Sequence, residues 1–167
     1  KAAIRDIPDF PKPGIIFKDI TPILRDPALF RASVQVFADR HRGRALNRIA
    51  AVESRGFLFG AALAYELGIG FVPIRKKGKL PYHTVEQTYD LEYGSATIEV
   101  HRDAFEPGES VLLLDDLLAT GGTARAAAQL IEKLGARVLE IDFLVELSFL
   151  GGRAKLEPHP VFAPIVF

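Results

Sequence analysis

Apolar positions recur along this chain with two different periods. After Asp26-Pro27 they fall at Phe30, Val34 and Phe37, a spacing that places all three on one face of a helix. Asp26 supplies an N-cap and Pro27 a pre-set first helical position, and the helix is predicted to stop near Gly43. Residues 48–52 and 69–74 are short apolar runs that suit buried strands. Between them, residues 57–67 read as a helix ended by Gly68. A strand, a helix and a strand joined by such a crossover predict parallel pairing. The same succession then returns. Residues 111–114 are uninterruptedly apolar and predict a central strand, 123–134 a helix stopped at Gly135, and 138–147 a further strand.

The remaining segments carry weaker patterns. Residues 7–22 are rich in proline and predict extended chain and turns. Residues 75–89 have little periodicity and many polar side chains, so a long loop is predicted, and loops of that length are usually functional. Residues 91–101 predict a hairpin turning at Tyr93-Gly94-Ser95, and residues 151–167 are broken by three prolines. Together the pattern predicts one α/β domain over residues 1–167, with a central mostly parallel sheet flanked by helices. Ligands in such sheets sit beyond the carboxyl ends of the strands.

Composition narrows the function classes. With 167 residues the chain can bury a substantial core. Its 21 basic and 21 acidic residues cancel, which disfavours nucleic acid as a partner but leaves room for a small anion on a local patch. There is no cysteine, so disulfides and thiol nucleophiles are excluded. No apolar run is long enough to span a membrane and the first residues lack a signal-peptide pattern, so a cytoplasmic protein is expected. The chain starts without methionine, and a trimmed start is expected.

The most informative segment joins the apolar run 111–114 to Asp115-Asp116-Leu117-Leu118-Ala119-Thr120-Gly121-Gly122-Thr123. Ala119, Thr120, Gly121, Gly122 and Thr123 would place several backbone N–H groups at a helix N-terminus, where the dipole favours an anion. The two glycines leave space for a phosphate, and the threonines add hydroxyl donors. No lysine follows the glycines, so this is not a Walker loop. Asp115 and Asp116 would repel a bare phosphate. They suit hydroxyl groups of a sugar and a developing positive charge instead, although acidic pairs also simply end strands. Glu53-Ser54-Arg55-Gly56 forms a second strand-to-helix turn, where Arg55 could fork onto a diphosphate or Ser54 could merely cap the helix. Arg75, Lys76, Lys77 and Lys79 form a basic cluster, of which Lys76 is expected to be a solvated surface residue.

These residues resemble the type I phosphoribosyltransferase family, and the phosphate-loop wording resembles its adenine branch. Phe10-Pro11-Lys12-Pro13-Gly14-Ile15-Ile16-Phe17-Lys18-Asp19-Ile20-Thr21-Pro22, Ser54-Arg55-Gly56-Phe57-Leu58-Phe59-Gly60, Arg75-Lys76-Lys77-Gly78-Lys79-Leu80-Pro81 and Leu91-Glu92-Tyr93-Gly94 are similar to further signatures of that branch, in its order and spacing. The resemblance implies transfer of a phosphoribosyl group from 5-phosphoribosyl-1-pyrophosphate (PRPP) to adenine, with Mg²⁺ held mainly by PRPP and water, through an oxocarbenium-like transition state. It implies that Glu53, Ser54, Arg55, Arg75 and Lys79 serve pyrophosphate, with a cis peptide at Glu53-Ser54. Ile16 and Lys18 would read the base through main chain, with Phe17 and Leu117 sandwiching the ring. Glu92 would exchange a proton with the base. It further implies a base-binding hood over residues 1–25, a lid within 75–93 and a homodimer.

Residues 82–87 depart from the family's lid wording. His83 is expected to be an exposed loop residue, and His41, His101 and His159 lack metal-ligand spacing. Three other readings stay open: a related enzyme for a 6-oxopurine base, a PRPP-sensing regulator, and a nucleotide-binding module of another α/β family.

Overall fold

The computed structural model describes residues 1–90 and 94–167. The chain opens with β1 (Arg5–Pro8) and β2 (Ile16–Asp19), an antiparallel pair in which Ile7 lies opposite Phe17. Two helices follow, α1 (Thr21–Arg25) and α2 (Pro27–His41). The Asp26 side chain accepts from the Ala28 and Leu29 N–H groups, so α2 begins at the predicted cap, and it ends two residues before Gly43. The proline-rich stretch is not wholly extended. Pro22 stands in the first turn of α1, where its missing N–H has no helical partner to lose.

Next come β3 (Arg48–Val52), α3 (Gly56–Leu67) and β4 (Gly70–Lys76), then β5 (Thr84–Asp90) and β6 (Ser95–His101). After these lie β7 (Ser110–Leu118), α4 (Gly122–Lys133) and β8 (Arg137–Glu146). Two short 3₁₀ turns, Ser148–Leu150 and Gly152–Leu156, lead to the edge strands β9 (Val161–Phe162) and β10 (Ile165–Val166). The main sheet runs β10–β8–β7–β3–β4–β6–β5, with β9 also on β8. Strands β3, β4, β7, β8, β9 and β10 are parallel, and β6 and β5 add on antiparallel. The predicted α/β sheet, central and mostly parallel, is what forms.

Both faces of this sheet are buried. Along β7, Val111 and Leu113 pack with α4, while Leu112 and Leu114 pack with Phe37, Phe59 and Leu63 of α2 and α3. All four are fully buried, and each such side chain contributes about 1.5–3 kcal/mol. A strand covered on both sides reads as a continuous apolar run, which is why this one was visible in sequence.

Three expectations change. First, β7 does not end at the carboxylates but continues to Leu118, because β8 is long enough to extend the ladder to Leu118 opposite Glu146. Second, the predicted loop over 75–89 shrinks to residues 77–83. Arg75 and Lys76 close β4, and residues 84–90 form β5, zipped to β6 from Thr84 opposite His101 to Asp90 opposite Ser95. Val85 and Tyr89 pack on the α4-side core, while the Thr88 and Thr97 hydroxyls meet at 2.9 Å. The strand shows little apolar periodicity because Gln87 interrupts Val85 and Tyr89 on the covered face. Third, the hairpin therefore begins at Thr84 rather than 91. Gly94, at φ 83°, lies in its turn, while Leu91, Glu92 and Tyr93 fall outside the described residues.

Candidate active site

The carboxyl ends of the parallel strands β3, β4 and β7 converge on a cavity of about 390 Å³. It is lined by Glu53, Ser54 and Arg55 from the turn before α3, Lys76 ending β4, Tyr89 of β5, Asp115, Asp116 and Leu117 of β7, and Thr123 of α4. A smaller recess of about 80 Å³ opens beside it, walled by the whole segment 117–124. Asp115, Leu117 and Thr123 border both spaces. The predicted phosphate loop therefore folds into a pocket at the N-terminus of α4, next to the carboxylate pair and Arg55.

The loop's shape depends on glycine at two distant places. Gly121 takes φ 81°, and a Cβ there would stand 2.5 Å from the Gly152 carbonyl oxygen. Conversely, a Cβ on Gly152 would collide with the Ala119 carbonyl oxygen and reach 3.0 Å from Gly121 N. The backbone of 119–121 thus lies directly on that of Gly152, whose segment is itself anchored. Leu147 N–H donates to Leu118 O at 2.9 Å, and Arg153 pairs with Glu146 and donates to Val161 O at 2.7 Å. Sequence reading missed Gly152, because nothing local marks a glycine whose partner lies some thirty positions earlier.

Asp116 is nearly buried and ion-paired with Arg55. Asp115 accepts from Asp116 N–H at 2.8 Å. Burial first, and then the charge of Asp116, push the Asp115 carboxyl well above the usual carboxylate range. Gly56 makes this crowding possible, since a Cβ there would stand 2.8 Å from Asp115 Oδ1.

Across the cavity the Glu53-Ser54 peptide is cis, as the resemblance implied. Glu53 lines the cavity, with its Oε2 held by neighbouring donors. It accepts from Arg75 Nε at 3.0 Å and from Lys76 N–H at 3.1 Å. Burial alone would raise the Glu53 pKa, but the Lys76 N–H and the Arg75 guanidinium outweigh it and hold the carboxyl below its ordinary value. The helix begins at Gly56 with no side-chain cap from Ser54. Lys76, expected only at the surface, is exposed yet lines the cavity, whereas Lys79 is exposed and does not. The turn holding Lys79 is organised by Glu99, buried on β6, which accepts from the Lys79 and Leu80 N–H groups at 2.9 Å each.

Of the base-side residues, Leu117 lines the cavity, whereas Ile16, Phe17 and Lys18 do not. Ile16 is exposed, and Phe17 packs edge-on against Phe10 with ring centroids 5.2 Å apart. The Arg55 guanidinium lies 5.5 Å from the Phe17 ring, so Phe17 borders the site through that cation. Lys18 turns away, paired with Asp6 at 2.7 Å and lying over the Phe167 ring at 4.2 Å. A main-chain role for Ile16 and Lys18 does not require their side chains, and neither lines the cavity. Glu92 lies outside the described residues.

One cluster elsewhere was invisible to sequence spacing. His41, Glu140 and Asp142 are all buried and present donor atoms within 4.8 Å of one another. Most of their polar atoms already have partners, Asp142 Oδ1 being the exception. Glu140 pairs with Arg40 and Arg44, and His41 Nε2 meets Asp142 Oδ2 at 2.7 Å. Arg44, which can only donate, faces His41 Nδ1 at 3.3 Å, so Nε2 carries the hydrogen toward Asp142. With two guanidiniums at hand the cluster is a buried ionic brace between α2 and β8.

Comparison with known proteins agrees with this geometry. The phosphoribosyl transferase domain model matches residues 20–159. A curated adenine phosphoribosyltransferase from Acidothermus cellulolyticus is 57% identical over 93% of this chain and 88% of its own length. The crystal structure of adenine phosphoribosyltransferase from Thermoanaerobacter pseudethanolicus superposes with a TM-score of 0.97 at 54% identity, covering 99% of this chain and 96% of the other. The Saccharomyces cerevisiae enzyme, complexed with an iminoaltritol bisphosphate and adenine, gives a TM-score of 0.92 at 45% identity over 97% and 94% of the two chains. With a matched domain model, relatives above half identity and a shared fold over almost the whole length, this chain belongs to the adenine phosphoribosyltransferase family.

Proposed function

We propose that this chain transfers the 5-phosphoribosyl group from PRPP to adenine, giving AMP and pyrophosphate, and that it acts as a cytoplasmic homodimer. The observation that carries this reading is the continuity of the two spaces. A recess at the N-terminus of α4 shares Asp115, Leu117 and Thr123 with a larger cavity that Arg55, Lys76 and Asp116 also line. A 5′-phosphate in the recess would set the ribose over Asp115 and Asp116 and its diphosphate toward Arg55 and Lys76. Adenine as the acceptor draws on the family and on the yeast relative's adenine complex.

In the reaction adenine N9 bonds to the ribose anomeric carbon as the bond to pyrophosphate breaks. Positive charge develops on the ribose, and a nearly buried carboxylate at Asp116 would stabilise it through a low-dielectric path. Arg55 would leave Asp116 for pyrophosphate, since a bidentate fork binds that anion strongly. The proton lost from the adenine imidazole ring would pass to Glu92. Mg²⁺ fits here as an ion brought by the substrate. The cavity offers oxygen donors, and the three-residue cluster of possible ligands seen among the described residues lies elsewhere, in the ionic brace. When bound, Mg²⁺ would neutralise the pyrophosphate leaving group while keeping PRPP oxygens and waters as its main ligands.

The test is pyrophosphate release with Mg²⁺, PRPP and one base at a time from adenine, hypoxanthine, guanine, xanthine and orotate. Turnover with adenine alone is expected, together with a large loss in Glu92→Ala. Turnover with a 6-oxopurine instead would retain the PRPP site and overturn the base assignment. PRPP binding without turnover on any base would make the chain a sensor.

A further inference from the structure

We propose that Tyr89 is a positioning residue for the phosphate loop, its hydroxyl orienting the Thr123 hydroxyl toward the 5′-phosphate of PRPP. The Thr123 hydroxyl donates to the Tyr89 hydroxyl oxygen at 3.1 Å. Thr123 is the second residue of α4 and borders both the recess and the main cavity, while Tyr89 borders the main cavity only. The tyrosine ring packs against the α4-side core and lies 3.6 Å from where a Gly122 Cβ would be. A phenylalanine would fill that space equally well, so the hydroxyl is the part that packing leaves unexplained.

A threonine hydroxyl has one hydrogen and rotates freely unless a neighbour fixes it. Without an anion the Tyr89 oxygen takes that hydrogen. An anion in the recess is the stronger acceptor, so the Thr123 hydrogen turns to it. The Tyr89 phenol hydrogen then turns onto the Thr123 oxygen. The result is a chain from Tyr89 O–H to Thr123 O–H to phosphate, in which each bond polarises the next. Tyr89 is held for this role by the β5–β6 ladder, where it lies opposite Ala96. The Asp90 carbonyl oxygen one residue later sits 3.6 Å from the same Gly122 position, so the hairpin and the loop meet along a short seam.

This inference rests on the reading of residues 119–123 as the 5′-phosphate site, and a double-mutant cycle separates the two. The four proteins are the wild type, Tyr89→Phe, Thr123→Val and the double variant, each assayed for kcat, for KM with PRPP and with adenine, and for Tm. Tyr89→Phe should raise KM for PRPP about fivefold, the worth of one hydrogen bond, with KM for adenine and Tm unmoved. Thr123→Val should raise KM for PRPP by about tenfold, and adding Tyr89→Phe to it should cost nothing further. Fully additive effects, or a lower Tm in Tyr89→Phe with KM for PRPP unchanged, would overturn the role of Tyr89 alone. An unchanged KM for PRPP in Thr123→Val would overturn the phosphate reading of Thr123, and the Tyr89 inference with it.

Discussion

The loop 119–123 before α4 and the loop 53–55 before α3 both aim a helix N-terminus at one cavity, yet backbone packing holds the first and side-chain ion pairs hold the second. Residues 119–121 rest on Gly152, with no room for a methyl group at Gly121 or Gly152. On the other side Arg55 is held by Asp116, and Arg75 by Glu53. A backbone cradle has no alternative partners and keeps its donors aimed whether or not an anion is present. An ion pair exchanges partners when a better anion arrives. This difference suits the proposed placement of the 5′-phosphate, the fixed end of PRPP, on the rigid loop and of the leaving end on the adjustable one.

The sharpest way to break that comparison is Gly152→Ala. Its methyl group would push the Ala119 carbonyl outward, at a cost of about 3 kcal/mol, and KM for PRPP should rise by roughly 150-fold. Gly151→Asn is the matched control. It occupies a left-handed position with open space around the Cβ, so PRPP kinetics should hold. Equal losses in both variants would mean that the segment matters only for folding. Next in size is Arg55→Ala, expected to lower kcat/KM for PRPP by about 30-fold through a lost charge-assisted hydrogen bond of about 2 kcal/mol. Arg55→Lys should recover little of it, because an ammonium lacks the planar fork. Full recovery in Lys would show that only charge is needed at this end.

Glu53→Gln should act more gently, raising KM for PRPP about fivefold by loosening Arg75, a change of about 1 kcal/mol. A glutamate that contacted pyrophosphate itself would be relieved of repulsion by the same change, and KM would fall. The smallest effect is on stability. Asp115 is raised on folding, so between its ordinary value of 3.8 and its raised value the folded chain binds more protons than the unfolded one. Stability from this group is therefore complete below that window and declines as pH rises through it. Asp115→Asn keeps an Oδ1 acceptor for the Asp116 N–H, and should raise the neutral-pH Tm of the ligand-free protein by about 2–4 °C while lowering turnover. A Tm–pH profile identical to that of the wild type would show that Asp115 carries no such burden.

Much of the frame was legible because its signals are local. The Asp26 cap, the stop at Gly68 and the strand at Arg48–Val52 each depend on a handful of adjacent residues. Strand β5 was hidden because its core-facing side, Val85, Gln87 and Tyr89, is interrupted by a glutamine, and its other side carries threonine, glutamate and aspartate. Of the site residues, Arg55, Asp115, Asp116, Leu117 and Thr123 do meet in one cavity, as do Glu53 and Ser54. Tyr89 and Lys76 join them without any local mark of doing so.

By itself the sequence determined the strand–loop–helix units, including the glycine loop before α4, since a β-strand, a glycine turn and a helix start are properties of contiguous residues. Only the tertiary structure decided that Arg55 would hold Asp116, 61 positions later, and that Gly152 would support Ala119. It also decided that Tyr89 would reach Thr123, and that His41 would close an ionic brace with Asp142, 101 positions away. Those pairings follow from which strands lie side by side and how closely their loops pack. That closeness is set by the whole sheet and its two buried faces, not by any neighbour in the chain.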